Sequence, residues 1–246
     1  MEAAQALADR ALDQLLDRED ERRVYPLRVA GMVALYVGRL DDGYQRHVEM
    51  HRLAHRHDHQ YETGMALLGL AQSRTYAGDP HHGLEFAEEQ LRVVTPLDNP
   101  SMLSLAWYDQ AEALSIIDPA RAVERYQRAA RLAESAGSTF VEGIALVGLA
   151  SLLGRSEEPN IALPLFRSII GRWRRMGVWH HQWTTLRNLV QLFLRTGKWE
   201  SAAVLLGATS ASSTVFSSIR RRRSPHRGRR RPAVRCAWQR DMAGGA

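Results

Sequence analysis

The sequence is poor in cysteine and in long apolar runs, and each shortage excludes a class of protein. Cys236 is the single cysteine, so the chain cannot form an intrachain disulfide or a cysteine-rich metal site. No window approaches the roughly 18 apolar residues of a transmembrane helix. The N-terminal segment also lacks the apolar core of a secretory signal. We therefore expect a cytoplasmic protein.

Motifs that bind nucleotides or activate nucleophiles are missing as well. A phosphate-binding loop needs Gly-Lys followed by Ser or Thr, but Lys198, the single lysine, is followed by Trp199. No G-x-G-x-x-G follows a strand-like segment, and no G-x-S-x-G occurs. The adjacent glutamates at 88–89 and 157–158 fall in expected surface or loop positions. We therefore expect no enzymatic activity and no cofactor.

Positive charge is concentrated at the C-terminal end of the chain. Residues 209–246 contain ten arginines and one acid, Asp241, whereas residues 1–208 contain 23 basic and 26 acidic residues. The net charge of +6 and the pI near 10 therefore come from the C-terminal segment. Residues 1–208 carry the difference of 23 and 26, a net charge of −3.

Small residues recur through the first 208 residues at intervals of about forty. The members of a first set are 40, 40, 39 and 40 residues apart, and each member of a second set follows its partner after 11 or 12 residues. The first set is Gly31, Ala71, Ala111, Ala150 and Val190, and the second is Gly43, Gly83, Ala122, Ala162 and Ala202. Turn-forming stretches such as "AGDP" and "RTGK" lie between the two members of each pair. Because apolar residues recur at three- and four-residue steps around them, the pattern predicts five helix–turn–helix pairs.

Neighbouring pairs are expected to stack, since one pair cannot bury both of its faces. The predicted fold class is all-α: a right-handed superhelix of about five helix pairs preceded by one leading helix. Ala3 lies forty residues before Gly43, so the leading helix is expected to be the second helix of a pair whose first helix is absent. An irregular helical bundle with chance spacing is the alternative.

Residues 166–208 carry a resemblance to a known family. The matching positions are Trp173, Gly177, Trp179, Gln182, Trp183, Thr184, Thr185, Leu186, Arg187, Asn188, Leu189, Gly197, Ala202 and "LLGA" at 205–208. This segment resembles the tetratricopeptide-like C-terminal region of actinobacterial LuxR-type and adenylate-cyclase-like ATPase regulators of the signal-transduction NTPase class. The rest of residues 1–208 resembles that region loosely. No position matches the nucleotide-binding or DNA-binding residues of the other domains in such proteins.

The resemblance implies a non-catalytic protein-interaction or sensory module of a transcriptional or signalling regulator. We expect a protein or peptide partner to bind a concave groove lined by the first helices of the pairs, near residues 62–76, 102–115 and 141–153. The half-repeat at the front suggests a truncated family member whose exposed apolar surface favours self-association. No membrane partner is expected.

Helical periodicity ends after Ala208, so residues 1–208 are predicted to be the repeat domain and residues 209–246 a disordered basic tail. Two origins of the tail stay open. It is either a nucleic-acid-binding arm or the product of a reading-frame change in a GC-rich gene. In the first case the candidate phosphate ligands are Arg220, Arg221, Arg222, Arg223, Arg227, Arg229, Arg230 and Arg231.

Histidines four residues apart form a further candidate site. His47, His51 and His55 share one helix face and could bind zinc. The motif is H-x-E-x-H, however, and the favoured interpretation is a polar, part-exposed helix face. No metal site is therefore predicted.

Tryptophans cluster within 27 residues of the C-terminal half, at positions 173, 179, 183 and 199. Packing between stacked helices is the favoured interpretation, and a partner-binding surface is the alternative. Trp179 and Trp183 are the candidate partner-binding residues. The nearby Arg172, Arg174 and Arg175 are expected to be solvated.

Overall fold

The structure is a computed structural model that describes residues 2–15, 19–155 and 159–220, with side chains through Thr209. These residues form eleven α-helices and two short 3₁₀ turns, and no strand. The helices are α1 (Glu2–Gln14), α2 (Val24–Tyr36), α3 (Leu40–Arg56), α4 (Gln60–Tyr76), α5 (Pro80–Val94), α6 (Pro100–Ile117), α7 (Pro119–Ser135), α8 (Thr139–Arg155), α9 (Pro159–Met176), α10 (Trp179–Arg195) and α11 (Trp199–Arg220). None of the described helices has the length and apolar character needed to span a bilayer.

The helices confirm the prediction of five pairs and a leading helix. The pairs are α2–α3, α4–α5, α6–α7, α8–α9 and α10–α11. Helix α11 continues to Arg220, so it passes Ala208, where the sequence pattern placed the end of the repeat domain. Residues 221–246, which include most of the predicted tail, lie outside the described residues.

Contacts divide the chain into two compact units. Among the described residues, unit 1 extends to Val141 and unit 2 begins at Glu142, within α8. Unit 1 holds α1 to α7 and is built around buried side chains such as Leu27, Met50 and Leu53. Unit 2 has its own core, in which the largest buried side chains are Phe166, Ile169, Trp173 and Leu192.

The small residues that mark the repeat lie where the two helices of a pair approach each other. A Cβ atom on Gly43 would be 3.3 Å from the carbonyl oxygen of Gly31, and one on Gly83 would be 3.0 Å from the carbonyl oxygen of Ala71. The alanines at 111, 122, 150 and 162 are fully buried. Larger side chains at these positions would force the helices apart, so a small residue recurs once in each helix of a pair.

Helix ends recur about every twenty residues. Positive φ angles occur at Gly38, Asp58, Gly78, Asp98, Gly137, Gly177 and Gly197 among the described residues. After six of them, the N–H of the next residue donates to the carbonyl oxygen five residues before it, as in the 2.9 Å bond from Asp79 N to Arg74 O. This hydrogen bond is typical of a Schellman motif at the end of a helix. The side chains of Asp79, Asn99 and Asp118 then cap the starts of α5, α6 and α7. The turns therefore fix where each helix ends and the next one begins.

The leading helix does not follow the repeat register. Ala3, expected at a small-residue position, is exposed, whereas Ala8 is the buried residue of α1. The expectation for Ala3 is therefore wrong, because α1 turns a different face to the protein. The nearly buried Arg23 fixes α1 by donating from Nη1 to Leu15 O (2.6 Å) and by pairing with Glu49 Oε1 of α3 (2.9 Å).

Candidate partner-binding surface on the first helices

Polar contacts join the first helices of consecutive pairs in unit 1. Arg28 of α2 pairs with Glu62 of α4 at 3.0 Å. Gln72 Nε2 of α4 donates to Asp109 Oδ1 of α6 at 2.8 Å. Glu62, Gln72 and Asp109 lie in residues 62–76 and 102–115, two of the three ranges in which the sequence predicted a groove.

Unit 2 contains a similar contact between its own first helices. Asn188 Nδ2 of α10 donates to Ser151 Oγ of α8 at 2.9 Å. This pair is 37 residues apart in sequence, the same separation as Gln72 and Asp109. The repeat therefore places polar side chains at equivalent positions on successive first helices.

Tyrosines and carboxyl groups of α2, α4, α6 and α7 lie close together in unit 1. We call Tyr36, Tyr76, Tyr108, Asp109, Glu112 and Tyr126 the tyrosine–carboxylate cluster. The hydroxyl of Tyr76 donates to Glu112 Oε2 at 3.0 Å, and that of Tyr126 donates to Glu112 Oε1. The Tyr108 and Tyr126 ring centroids are 6.2 Å apart. Tyr36 of α2 is 44% exposed, while Tyr76, Tyr108 and Glu112 are half-buried.

The ionisation of this cluster is shifted by its surroundings. Burial raises the pKa values of Tyr76 and Tyr108 well above the usual range, and the neighbouring Glu112 carboxylate adds to both shifts. Burial also raises the pKa of Asp109 well above its usual value, with the Gln72 hydrogen bond opposing the shift. The phenols therefore stay protonated and act as fixed hydrogen-bond donors. The half-buried Tyr76 and Tyr108, with such shifts, make the cluster a candidate functional site.

Asp109 is the most deeply buried member of the cluster. It is 1% exposed, and its Oδ2 atom has no partner that meets hydrogen-bond geometry. The Gln90 side chain of α5 nevertheless lies near enough to favour the charged form. The cluster was not predicted from the sequence, although Tyr36 and Tyr76 stand forty residues apart and so share a position in the repeat.

The histidine face is only partly as predicted. His55 is exposed and His51 is half-buried, but His47 is fully buried, so the expectation of a part-exposed face is wrong for His47. Its ring lies between Gly31 and Gly69, whose missing side chains make room for it. Among the described residues, no three or more His, Cys, Asp or Glu side chains are arranged to hold a metal ion.

The tryptophans have different roles. Trp173 is fully buried and donates from Nε1 to Thr185 Oγ1 at 3.0 Å, so the packing interpretation is correct for it. Trp179 and Trp199 are 58% and 65% exposed, and Trp183 is half-buried. Trp179 and Trp183 stay candidate partner-binding residues.

The three arginines beside the tryptophans differ in the same way. Arg172 pairs with Glu142, which is 9% exposed, so the expectation that Arg172 is solvated is wrong. A buried carboxylate requires such a partner. Arg174 and Arg175 are exposed as expected. Arg220 is the last residue of α11, and the other candidate phosphate ligands, Cys236 and the glutamates at 157–158 lie outside the described residues.

Helical pairs repeated at forty residues, with small residues at each close approach, define a tetratricopeptide-like (TPR-like) repeat protein. The chain is similar to the crystal structure of BtubC (BKLC) from P. vanneervenii, with a TM-score of 0.61 and 15% identity over 94% of this chain and 96% of that one. It is also similar to a kinesin light chain protein of Podosopora anserina with nearly identical TPR-like repeats, with a TM-score of 0.54 and 11% identity over 83% and 99% of the two chains. At such identities the likeness establishes the fold. No family model and no curated protein matches the sequence.

Proposed function

We propose that the chain is a non-catalytic protein-interaction module that binds an extended segment of a partner protein on the first helices of unit 1. The observation that carries this proposal is the tyrosine–carboxylate cluster. Tyrosine combines a large apolar ring with a hydrogen-bonding tip and loses little side-chain entropy on binding, so it is enriched where proteins bind one another. A hydrogen bond to Glu112 holds the half-buried phenol of Tyr76 in place before a partner arrives, while the buried Tyr126 of α7 holds Glu112 itself.

The wider context that we propose is a regulatory one. Residues 166–208 resemble the repeat region of LuxR-type and ATPase-linked regulators, in which such a module would serve as a sensory or partner-binding arm in the cytoplasm. Under this proposal Trp179 and Trp183 extend the partner-binding surface within unit 2. Their substitution by alanine would weaken binding without loss of the fold, because Trp179 is exposed and Trp183 is half-buried.

A peptide-display selection against the full chain tests the proposal. Selected segments are then titrated against Tyr36→Ala and against Val48→Ala, a matched control on the second helix α3, since the two side chains are 44% and 40% exposed. We expect Tyr36→Ala to weaken binding by about tenfold and Val48→Ala by less than about twofold. Equal effects of the two substitutions, or no selected segment, would contradict the proposal.

Nucleic-acid binding through the arginines from Arg220 onward is a separate hypothesis with its own test. Replacing the eight arginines between residues 220 and 231 by serine removes eight of the ten positive charges of residues 209–246 while the sequence of residues 1–208 stays intact. If segment binding persists in this variant and salt-sensitive nucleic-acid binding disappears, the two activities are independent.

A further inference from the structure

Two arginines of α7 lie over the half-buried indole ring of Trp107 in α6. The guanidinium carbons of Arg125 and Arg128 are 4.7 Å and 4.1 Å from the centroid of this ring. Both distances start from the same point, so the two carbons are less than about 9 Å apart. Cation–π contact with the ring therefore holds two positive charges near each other in unit 1. We call Trp107, Arg125 and Arg128 the tryptophan–arginine site.

Among the described residues, few acceptors reach these two guanidinium groups. Arg125 Nε is buried without a hydrogen-bond partner, and Arg125 Nη1 lies 3.9 Å from Oε1 of the 67% exposed Glu124, too far for a hydrogen bond. Arg128 is exposed, and its guanidinium forms no hydrogen bond or ion pair with any residue that the structure describes. Cation–π contact does not use the N–H groups in the plane of a guanidinium, so both arginines can still donate to an anion.

The packing of the repeat does not require this arrangement. The residue forty positions before Trp107 is Leu67, which is fully buried. Counted from the small residue of each second helix, Arg128 corresponds to Glu89 of α5 and to Glu49 of α3. The pair α4–α5 is therefore built with leucine and glutamate where α6–α7 has tryptophan and arginine. A reversal of charge at one repeat position indicates a role that belongs to the α6–α7 pair.

The surroundings of the site favour a compact anionic group. Helix α7 contains four arginines and two glutamates, whereas α5 contains three glutamates and one arginine. The net charge of −3 on residues 1–208 disfavours a long polyanion such as nucleic acid. Stacking of a base on Trp107 is also disfavoured, because guanidinium groups already lie over its ring.

We propose that the tryptophan–arginine site binds a phosphate monoester, presented as a phosphorylated serine or threonine on a protein partner. One arginine fork satisfies the two oxygens of a carboxylate. A phosphate group has three terminal oxygens and up to two negative charges, so it can accept hydrogen bonds of about 2.8 Å from two guanidinium groups at once. Small molecules usually bind in concave pockets, whereas the exposed Arg128 is open to a group carried on a protein segment.

This inference goes beyond the proposed function. Trp107 and Tyr108 are neighbours in α6 and therefore point about 100° apart around the helix. The tryptophan–arginine site and the tyrosine–carboxylate cluster thus use different sides of α6. Segments selected by peptide display carry no phosphate, so the display experiment tests the proposed function separately from the phosphate site.

Three short blocked peptides, Ala-Ala-X-Ala-Ala with phosphoserine, glutamate or serine at X, test the chemistry of the site. They are titrated into the full chain in which the eight arginines between residues 220 and 231 are replaced by serine, because those arginines would also bind phosphate. The ¹H–¹⁵N resonances of the six tryptophan indoles report binding, and Trp107→Phe identifies that of Trp107. We expect the phosphoserine peptide to shift this resonance and to bind about tenfold more tightly than the glutamate peptide.

Two substitutions on α7 separate the site from general charge attraction. Arg128→Gln should weaken binding of the phosphoserine peptide by about fivefold or more. Arg131→Gln removes the same charge from an exposed side chain that has no described contact with Trp107, so it should change binding by less than about twofold. Arg128→Lys keeps the charge without the planar fork and should not retain the full affinity.

A peptide library with phosphoserine fixed at its centre and varied flanking residues tests the source of the phosphate, with inorganic phosphate as the reference probe. Because flanking residues add contacts with α6 and α7, we expect the preferred library members to bind at least about tenfold more tightly than inorganic phosphate. If no member exceeds inorganic phosphate, the site binds free phosphate and its assignment to a protein partner is wrong.

Equal binding of the phosphoserine and serine peptides, equal effects of Arg128→Gln and Arg131→Gln, or shifts confined to the other indoles would overturn the inference. If unphosphorylated segments still bind and Tyr36→Ala still weakens them, the proposed function stands without it. If no such segment binds but phosphoserine shifts the Trp107 resonance, the proposed function fails and the phosphate site stands.

Discussion

The imidazole ring of His47 fills a space that Gly69 leaves open. A Cβ atom built on Gly69 of α4 would lie 2.3 Å from His47 Cδ2 on α3, and one on Gly31 of α2 would lie 2.6 Å from His47 Cε1. One side chain thus connects the first helix–turn–helix pair with the second. The two glycines and the histidine form one packing unit, so a change in any of them acts on the other two.

Gly69→Ala should destabilise the protein even though alanine is the better helix former. Alanine in a helix interior is ordinarily worth up to about 1 kcal/mol over glycine, but overpacking a filled core costs about 1–3 kcal/mol. We expect a net loss of about 1–2 kcal/mol in the free energy of unfolding, measured by urea denaturation. Gly207→Ala is the control, since a Cβ there meets nothing within 4 Å.

His47→Ala should rescue Gly69→Ala, because it removes the ring that the new methyl group strikes. The two changes should therefore be strongly non-additive in a double-mutant cycle. Additive losses would show that the ring and the glycine do not share a contact.

The stability of the protein should decrease as the pH falls, because His47 is buried. Burial lowers its pKa to about 4, with the Gly43 backbone opposing the shift weakly, whereas an exposed histidine has a pKa of 6.5. Between these values the unfolded chain binds a proton that the folded chain does not, so the free energy of unfolding decreases as pH falls from about 6.5 to about 4. The slope approaches about 1.4 kcal/mol per pH unit, a total of about 3 kcal/mol.

Urea denaturation between pH 7 and pH 4.5 measures this dependence. His47→Leu should remove the corresponding part of it, and the same substitution at the exposed His55 of α3 is the control. An unchanged pH profile in His47→Leu would show that the pKa of His47 is not lowered in the folded protein.

In unit 2, the contact between Trp173 and Thr185 can be tested by removing the acceptor. Thr185→Val keeps the shape of the side chain but takes the hydroxyl away from the indole N–H of a fully buried tryptophan. We expect a loss of about 1–2 kcal/mol in the free energy of unfolding. Thr184→Val, at a hydroxyl whose 3.3 Å hydrogen bond to His180 O is exposed, should cost less than about 0.5 kcal/mol.

The repeat could be predicted from sequence because it depends on local chemistry. Glycine and alanine at close approaches, and turn residues between them, act within one helical pair, so positions such as Gly43 and Ala162 are visible without coordinates. The burial of His47 depends instead on Gly69, 22 residues away on the next pair. Ala87 stands forty residues after His47, so this contact has no counterpart in the next repeat, which is why the histidine was expected to be part-exposed.

The candidate site was predicted only in outline. First helices were expected to form the surface, but the cluster around Glu112 combines side chains from α4, α6 and α7 with Tyr36 of α2. The register of α1 was predicted wrongly for a similar reason: Arg23 sets the position of that helix through backbone carbonyls. The pattern of apolar residues does not predict hydrogen bonds from a side chain to backbone atoms.

Hydrogen–deuterium exchange of the full chain, with and without a selected partner segment, tests the central claim most directly. The account predicts that binding slows amide exchange in the first helices α2, α4 and α6, above all in the turns of α4 and α6 that contain Tyr76 and Glu112, while α3, α5 and α7 change little. Protection confined to those second helices, or to residues after Arg220, would contradict it.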